Sequence, residues 1–245
     1  MSTTLTIAKR EFRSYFDSPL AYVVICLGLV LLGAFFFFPA GSFWQADRAT
    51  LAQVYTLMPR GLSLVVIPVL TMRLLAEERR SGTLEMLITL PVRDHEVILG
   101  KFLGAWGLVL VLILGTALFP LMMFRFPWHL GVLDIGPVLS GYLGLICYSA
   151  AAVGIGLFIS ALTESQVIAF FITWVFLVGL SFMGLLVEGA PGGTFRDVIS
   201  FISFDTRLAP FARGQIITRD VVYFASIAVG SLMLAFRALE RRKWA

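Results

Sequence analysis

Residues 58–124 read, in succession, MPRGLSLVVIPVLTMRLLA, EERRSGTLEMLITLPVRDHEVILGK and FLGAWGLVLVLILGTALFPLMMF, with breaks after Ala76 and Lys101. The flanking pieces are apolar runs of about 20 residues. At ~1.5 Å rise per residue, each is long enough as a helix to cross a ~30 Å hydrocarbon core. The middle piece carries nine charged side chains. A charged connector between two such runs is the pattern of a membrane hairpin, because lipid gives the backbone no partner outside a helix or closed barrel.

The rest of the chain repeats this pattern. Its 245 residues are 59% apolar and 14% charged, against roughly 45–50% and about 25% in soluble domains, and the mean hydropathy is +0.92. Six apolar spans are expected: Leu20–Phe38, about Met58–Ala76, Phe102–Phe124, about Val138–Leu162, about Gln166–Val187 and about Val221–Phe236. Pro59, Arg60 and Pro68 lie inside the second, with Arg73 near its end. The predicted fold class is therefore all-α, a polytopic membrane protein of six transmembrane helices over residues 20–245. An amphipathic interfacial helix over residues 1–19 precedes it. The remaining chain is too short for a separate catalytic domain, which usually needs at least ~50 contiguous residues.

Orientation follows from the basic residues. Alternating sides of the six spans hold twelve Lys and Arg on one face and seven on the other. The positive-inside rule then places both termini in the cytoplasm of a multi-pass protein. The first span is read as a retained anchor, since its run of about 19 apolar residues exceeds a signal peptide's ~7–15 and Glu11 and Asp17 flank it.

Several functions lack their machinery. The net charge of +4 is spread between apolar segments without the clustered basic face that nucleic acid needs. Cys26 and Cys147 both sit in apolar runs and read as packing residues. His95-Glu96 is followed by Leu99 where a zinc helix needs a second His, and His129 is expected on the opposite side, so no metal site is expected. No nucleophile motif of a hydrolase is present. No Asp, Glu, His or Lys falls at mid-span, where ion-coupled carriers keep their relays. Arg73 and Arg60 are expected to snorkel toward opposite interfaces.

Two segments near the predicted cytoplasmic face have mechanical meaning. In Ser2–Ser18, the residues Leu5, Ala8, Phe12, Tyr15 and Phe16 share one helical face, opposite Arg10, Ser14 and Glu11. This predicts an interfacial helix with Lys9 and Arg10 reaching lipid headgroups and Phe12 and Phe16 directed inward, with Pro19 ending it. In the loop of residues 77–101, Ser81-Gly82-Thr83 forms a turn, and Leu84, Leu87 and Ile88 share a face with Glu85 in the first turn. Pro91 stops that short helix and Asp94 caps the next. Physics alone leaves two roles open, a plug for a groove on a partner or a helix folded back on its own bundle. The small residues Gly141, Gly144, Ala150, Gly154, Gly156, Ser160 and Ala161 predict close helix packing in the fourth span, with a substrate lining as the alternative.

The pattern Glu78, Arg79, Gly82-Thr83-Leu84-Glu85, Leu87, Pro91 and Gly100-Lys101 resembles the cytoplasmic coupling segment of type-2 ABC exporter permeases. The resemblance extends over the whole chain, from Lys9-Arg10-Glu11 in the N-terminal helix to the Leu162–Ser165 turn between spans four and five. The stretch Phe204-Asp205-Thr206-Arg207, Phe211, Arg213-Gly214 and Arg219-Asp220 is similar to the branch named after gliding-motility ABC permeases. The resemblance implies the type-2 ABC exporter permease fold and a dimer, either a homodimer or a heterodimer with a related permease. It also implies a separate ABC ATPase subunit that binds ATP and Mg, while this chain binds no cofactor and is no enzyme. The absence of a G-x-x-x-x-G-K-[ST] loop agrees with that division, since Gly100-Lys101 lacks the upstream glycine. Arg79, Arg80 and Glu85 are expected to orient the coupling helix against the ATPase and Leu84 and Leu87 to supply the buried contact, with Glu78 and Ile88 in the same segment.

The opposite loop, residues 188–220, is long for a bundle connection. Short helices dipping into the interface are expected, with Phe204, Asp205, Arg207, Phe211, Arg213, Gly214, Arg219 and Asp220 as candidate gate residues. A docking surface for an auxiliary extracytoplasmic protein is the alternative. The expected location is the bacterial inner membrane, with lipid as partner and no nucleic acid. The expected function is a permease subunit coupling ATP hydrolysis on its partner to substrate translocation. The competing function is a membrane anchor that recruits an ATPase to a surface or motility apparatus and moves no solute.

Overall fold

A computed structural model describes residues 3–37, 52–82, 93–124, 135–189 and 193–240. Every regular element among them is helical. In chain order, α1 is Thr3–Asp17, α2 Pro19–Phe37, α3 Ala52–Gly61, α4 Ile67–Thr71 and α5 Ala76–Arg80. The chain continues with α6 Asp94–Gly115, α7 Leu118–Phe124, α8 Ile135–Leu162 and α9 Gln166–Gly189. It closes with α10 Thr194–Ile202, α11 Phe204–Ala212 and α12 Thr218–Glu240.

Five segments are each long and apolar enough to cross a membrane: Val54–Arg80, Asp94–Met122, Ile135–Leu162, Gln166–Leu185 and Thr218–Glu240. Helix α1 and the apolar α2, bent by 78° from each other, make a sixth candidate when taken together. Five of the six expected spans are met by these segments, and α2 falls on the first expected span. The third begins about two turns earlier than its apolar run, because α6 starts at Asp94. Asp94 is not its cap: Arg93 occupies that position in extended backbone, and the Glu96 carboxylate reaches back 3.2 Å to accept the Arg93 N–H.

The second span is the irregular one. Pro68 lacks an N–H, which leaves an upstream carbonyl without its helical donor. A π-helical turn over Leu62–Val66 absorbs the mismatch, with the Ile67 N–H reaching the Leu62 carbonyl. The span breaks again between α4 and α5, where Ser160 of α8 repairs it. The Ser160 Oγ accepts from the Leu75 and Ala76 N–H groups, each at 3.1 Å.

The centre of the bundle is α8, packed against α3, α4, α5, α6, α9, α11 and α12. Lipid tails are as apolar as leucine, so helices associate in a bilayer by close packing. The small residues of α8 permit it. A Cβ at Gly144 would lie 2.9 Å from the Phe211 side chain, and one at Gly156 would collide with Thr71. The small face expected of the fourth span is thus a packing surface. By contrast α9 and α12 leave much of their apolar length uncovered.

Candidate functional site

Two polar clusters stand out, one at each end of the bundle. The first gathers the N-terminal helix and the neck of the 77–101 loop. Here α1 runs along α6 over two glycines spaced one turn apart. A Cβ at Gly100 would sit 2.6 Å from Ile7 Cγ2, and one at Gly104 would sit 2.7 Å from Glu11 Cβ and 3.2 Å from the Ala8 carbonyl oxygen. Between these glycines Lys101 projects into the contact with only 3% of its side chain exposed. Its Nζ lies 2.6 Å from Glu78 Oε1 on α5 and 3.3 Å from Glu11 Oε1 on α1. Beside it, Arg73 holds Glu77 through Nε to Oε2 at 2.7 Å and NH2 to Oε1 at 3.1 Å. A cleft of about 360 Å³ opens among Arg10, Tyr15, Arg73 and these groups.

This arrangement corrects the helical wheel drawn for α1. Glu11 does not belong to its solvent face, because the carboxylate turns inward to neutralise buried Lys101, while Leu5 is exposed. Lys9 and Arg10 do face outward, and Phe12 and Phe16 pack together with ring centroids 5.1 Å apart. Glu78, Arg79 and Arg80 form the last turn of α5, and Gly82 follows at φ +70°, a left-handed turn that glycine adopts without strain. Thr83, Leu84, Glu85, Leu87, Ile88 and Pro91 lie outside the described residues.

The second cluster is made by α10 and α11, which form a short helical hairpin in the 188–220 loop. Ser203 supplies the extended residue between them, and Phe204 at the tip is fully buried. The ring of Phe204 meets Tyr148, halfway along α8, edge-on at 5.6 Å, and Phe224 of α12 at 5.5 Å. The Tyr148 hydroxyl donates to the Pro59 carbonyl at 2.9 Å. Dipping this far in, the hairpin carries charge into the bundle.

Arg60 does not snorkel. It bonds to Asp205 through both Nε, at 3.2 Å, and NH2, and its guanidinium stands 5.4 Å from the centroid of the Phe182 ring. Arg207 donates to Asp220 Oδ1 at 3.0 Å and lies over the rings of Phe201 and Tyr223. Phe211 is buried, and its carbonyl accepts from Ser140 Oγ at 2.7 Å. Arg213 is exposed and precedes Gly214, which turns at φ +88° against Pro137. Arg219 stays largely exposed, 3.6 Å from Asp220.

Of the candidate residues, the structure brings Glu78 to Lys101 at one end, and at the other Arg207 and Arg219 to Asp220 and Asp205 to Arg60, while Arg213 and Gly214 stand apart. From sequence alone Lys101 is only part of a motif, and Arg60 a snorkelling residue. Their signal in sequence is an Arg or Lys inside or at the edge of an apolar run, with no local acid at helical spacing to pair it.

Residues 45–236 match the family described as ABC-2 family transporter protein. Permease domains of that family are membrane components without catalysis of their own, and the family in general works with an ABC ATPase. No curated protein matches the chain. Because the family match spans more than three quarters of the sequence and the helices are long enough to cross a bilayer, the chain is a multi-pass membrane protein that belongs to the ABC-2 transporter family.

Proposed function

We propose that the chain is the permease subunit of an exporter-type ABC transporter, with residues 77–101 as the segment that receives the stroke of a separate ATPase. The observation that carries this is the construction of the loop neck. A five-residue helix bearing Glu78, Arg79 and Arg80 ends in the Gly82 turn, and the neck is tied to the bundle by Lys101. Closure of the ATP-loaded partner pushes on Leu84–Leu90, with Leu84, Leu87 and Ile88 buried in its groove and Arg79, Arg80 and Glu85 orienting the contact. Spans two and three then tilt and switch the cavity between inward and outward states. ATP and Mg belong to the partner.

The same proposal places both termini in the cytoplasm of a bacterial inner membrane, from the excess of Lys and Arg at that end. The hairpin of α10 and α11 is then an outer gate or a docking surface for an auxiliary protein. Its Phe204–Arg207 and Arg219–Asp220 motifs support the gliding-motility-like branch. Dimerisation uses the uncovered apolar length of α9.

The test is co-purification of the full chain with the ABC ATPase encoded beside it. Replacing Leu84 and Leu87 together by Asp is expected to abolish the complex. Unaltered binding and full ATPase coupling in that variant would sink the coupling assignment. Conformational cycling without ATP-dependent movement of lipid or polysaccharide in proteoliposomes would favour a membrane anchor instead.

A further inference from the structure

We propose that Lys101 is a positioning residue that clamps α1 to the neck of the 77–101 loop, so that the two move as one body. The inference rests on the coupling reading above for the origin of the push. The clamp itself concerns this chain alone.

Helix α5 is only five residues long. It is the end of the Val54–Arg80 segment, set off from α4 by the break at residues 72–75, so its placement depends on the neighbours that hold it. Ser160 bonds its first turn, Arg73 holds Glu77, and Lys101 holds Glu78 at its middle. Lys101 also stands on the other arm of the loop, in the second turn of α6, so the Glu78–Lys101 pair closes the neck.

The second carboxylate on Lys101 brings in α1. Glu11 reaches the same ammonium from a helix that touches the α6 backbone at Gly100 and Gly104, on either side of Lys101. Three elements distant in sequence therefore share one buried cation. Two carboxylates face it, and without the ammonium they would repel each other and drive α1 and α5 apart. A displacement of the neck thus carries α1 with it, and through the bend at Ser18-Pro19 it reaches α2. The stroke is delivered to three spans instead of two.

The test reads this directly in the full chain reconstituted in nanodiscs, with Cys26 and Cys147 replaced by Ser. Spin labels are placed at Ser14→Cys on α1 and Ser81→Cys on the neck, both exposed positions. The expected result is one narrow distance distribution, retained in Lys101→Arg and lost to a broad one in Lys101→Met. Because Lys101→Met leaves two partly buried carboxylates opposed, the triple variant Lys101→Met, Glu11→Gln, Glu78→Gln is measured beside it. Removing the whole charge set relieves the repulsion and restores thermal stability, yet the distribution is expected to stay broad. A wild-type distribution in the triple variant would overturn the clamp. The Leu84 and Leu87 double substitution separates the two proposals. Its failure to release the ATPase removes the source of the push and leaves the distances untouched, whereas narrow distances without Lys101 remove the clamp and leave ATPase binding untouched.

Discussion

Arg207 and Asp220 are the most deeply buried opposite charges among the described residues, with side chains 6% and 1% exposed. Taking both from water is costly, and their attraction in a low-dielectric site only roughly repays it. Their value lies in geometry: Arg207 lies over the rings of Phe201 and Tyr223 and also donates to the Phe201 carbonyl at 3.3 Å. Asp220→Ala is expected to lower unfolding stability by about 3–5 kcal/mol, because it strands a buried guanidinium. The pair of changes Arg207→Met and Asp220→Leu is expected to fall within about 1 kcal/mol of wild type. Thermal unfolding in detergent measures both, and equal losses would show that the ion pair adds little beyond packing. Sequence revealed these residues as members of one motif. It did not reveal that Arg60 and Asp205, 145 positions apart, would meet, because helical periodicity constrains neighbours within a few turns and is silent on distant partners.

At the scale of elements, the second span is a stack of short helical pieces held in line by the helix it crosses. Its break at residues 72–75 leaves N–H groups that no carbonyl of the same helix accepts. Ser160 accepts two of them, so one hydroxyl joins α5 to α8. Ser160→Ala is expected to cost about 1–3 kcal/mol, the desolvation penalty of orphaned buried donors. The sharper readout is local. Amide hydrogen exchange at Leu75 and Ala76 should accelerate while exchange in the middle of α6 stays slow, and unchanged protection at those two amides would refute the repair. Pro59 and Pro68 signalled irregularity in the sequence. The compensating turn and the serine that mends the second break were illegible there, since both depend on which residue of another helix arrives opposite.

For the whole molecule, the uneven covering of the helices is the main feature. The central α8 is buried along most of its length, whereas Val167, Phe171 and Val175 form an exposed stripe on α9 at four-residue spacing. In a bilayer such a stripe is satisfied by acyl chains or by a second helix, and close packing favours the helix where the shapes fit. A chain with Val175→Cys, lacking Cys26 and Cys147, is expected to form a disulfide-linked dimer under oxidation in membranes. The equivalent change at Val229 of α12 serves as the control. Dimer formation from Val229→Cys but not from Val175→Cys would move the proposed interface to the other uncovered helix.

The all-helical class, the approximate places of five spans and the family were legible in the linear chain. Each span is committed by its own apolar length, because transfer into lipid is a property of a segment taken one at a time. The destination of the charges was a different matter. Lys101 meets Glu11, Arg60 meets Asp205 and the hairpin tip reaches Tyr148 only once the helices have packed. A buried charge is tolerated only where a partner arrives to pay its desolvation cost, and that arrival depends on the packing of the whole bundle.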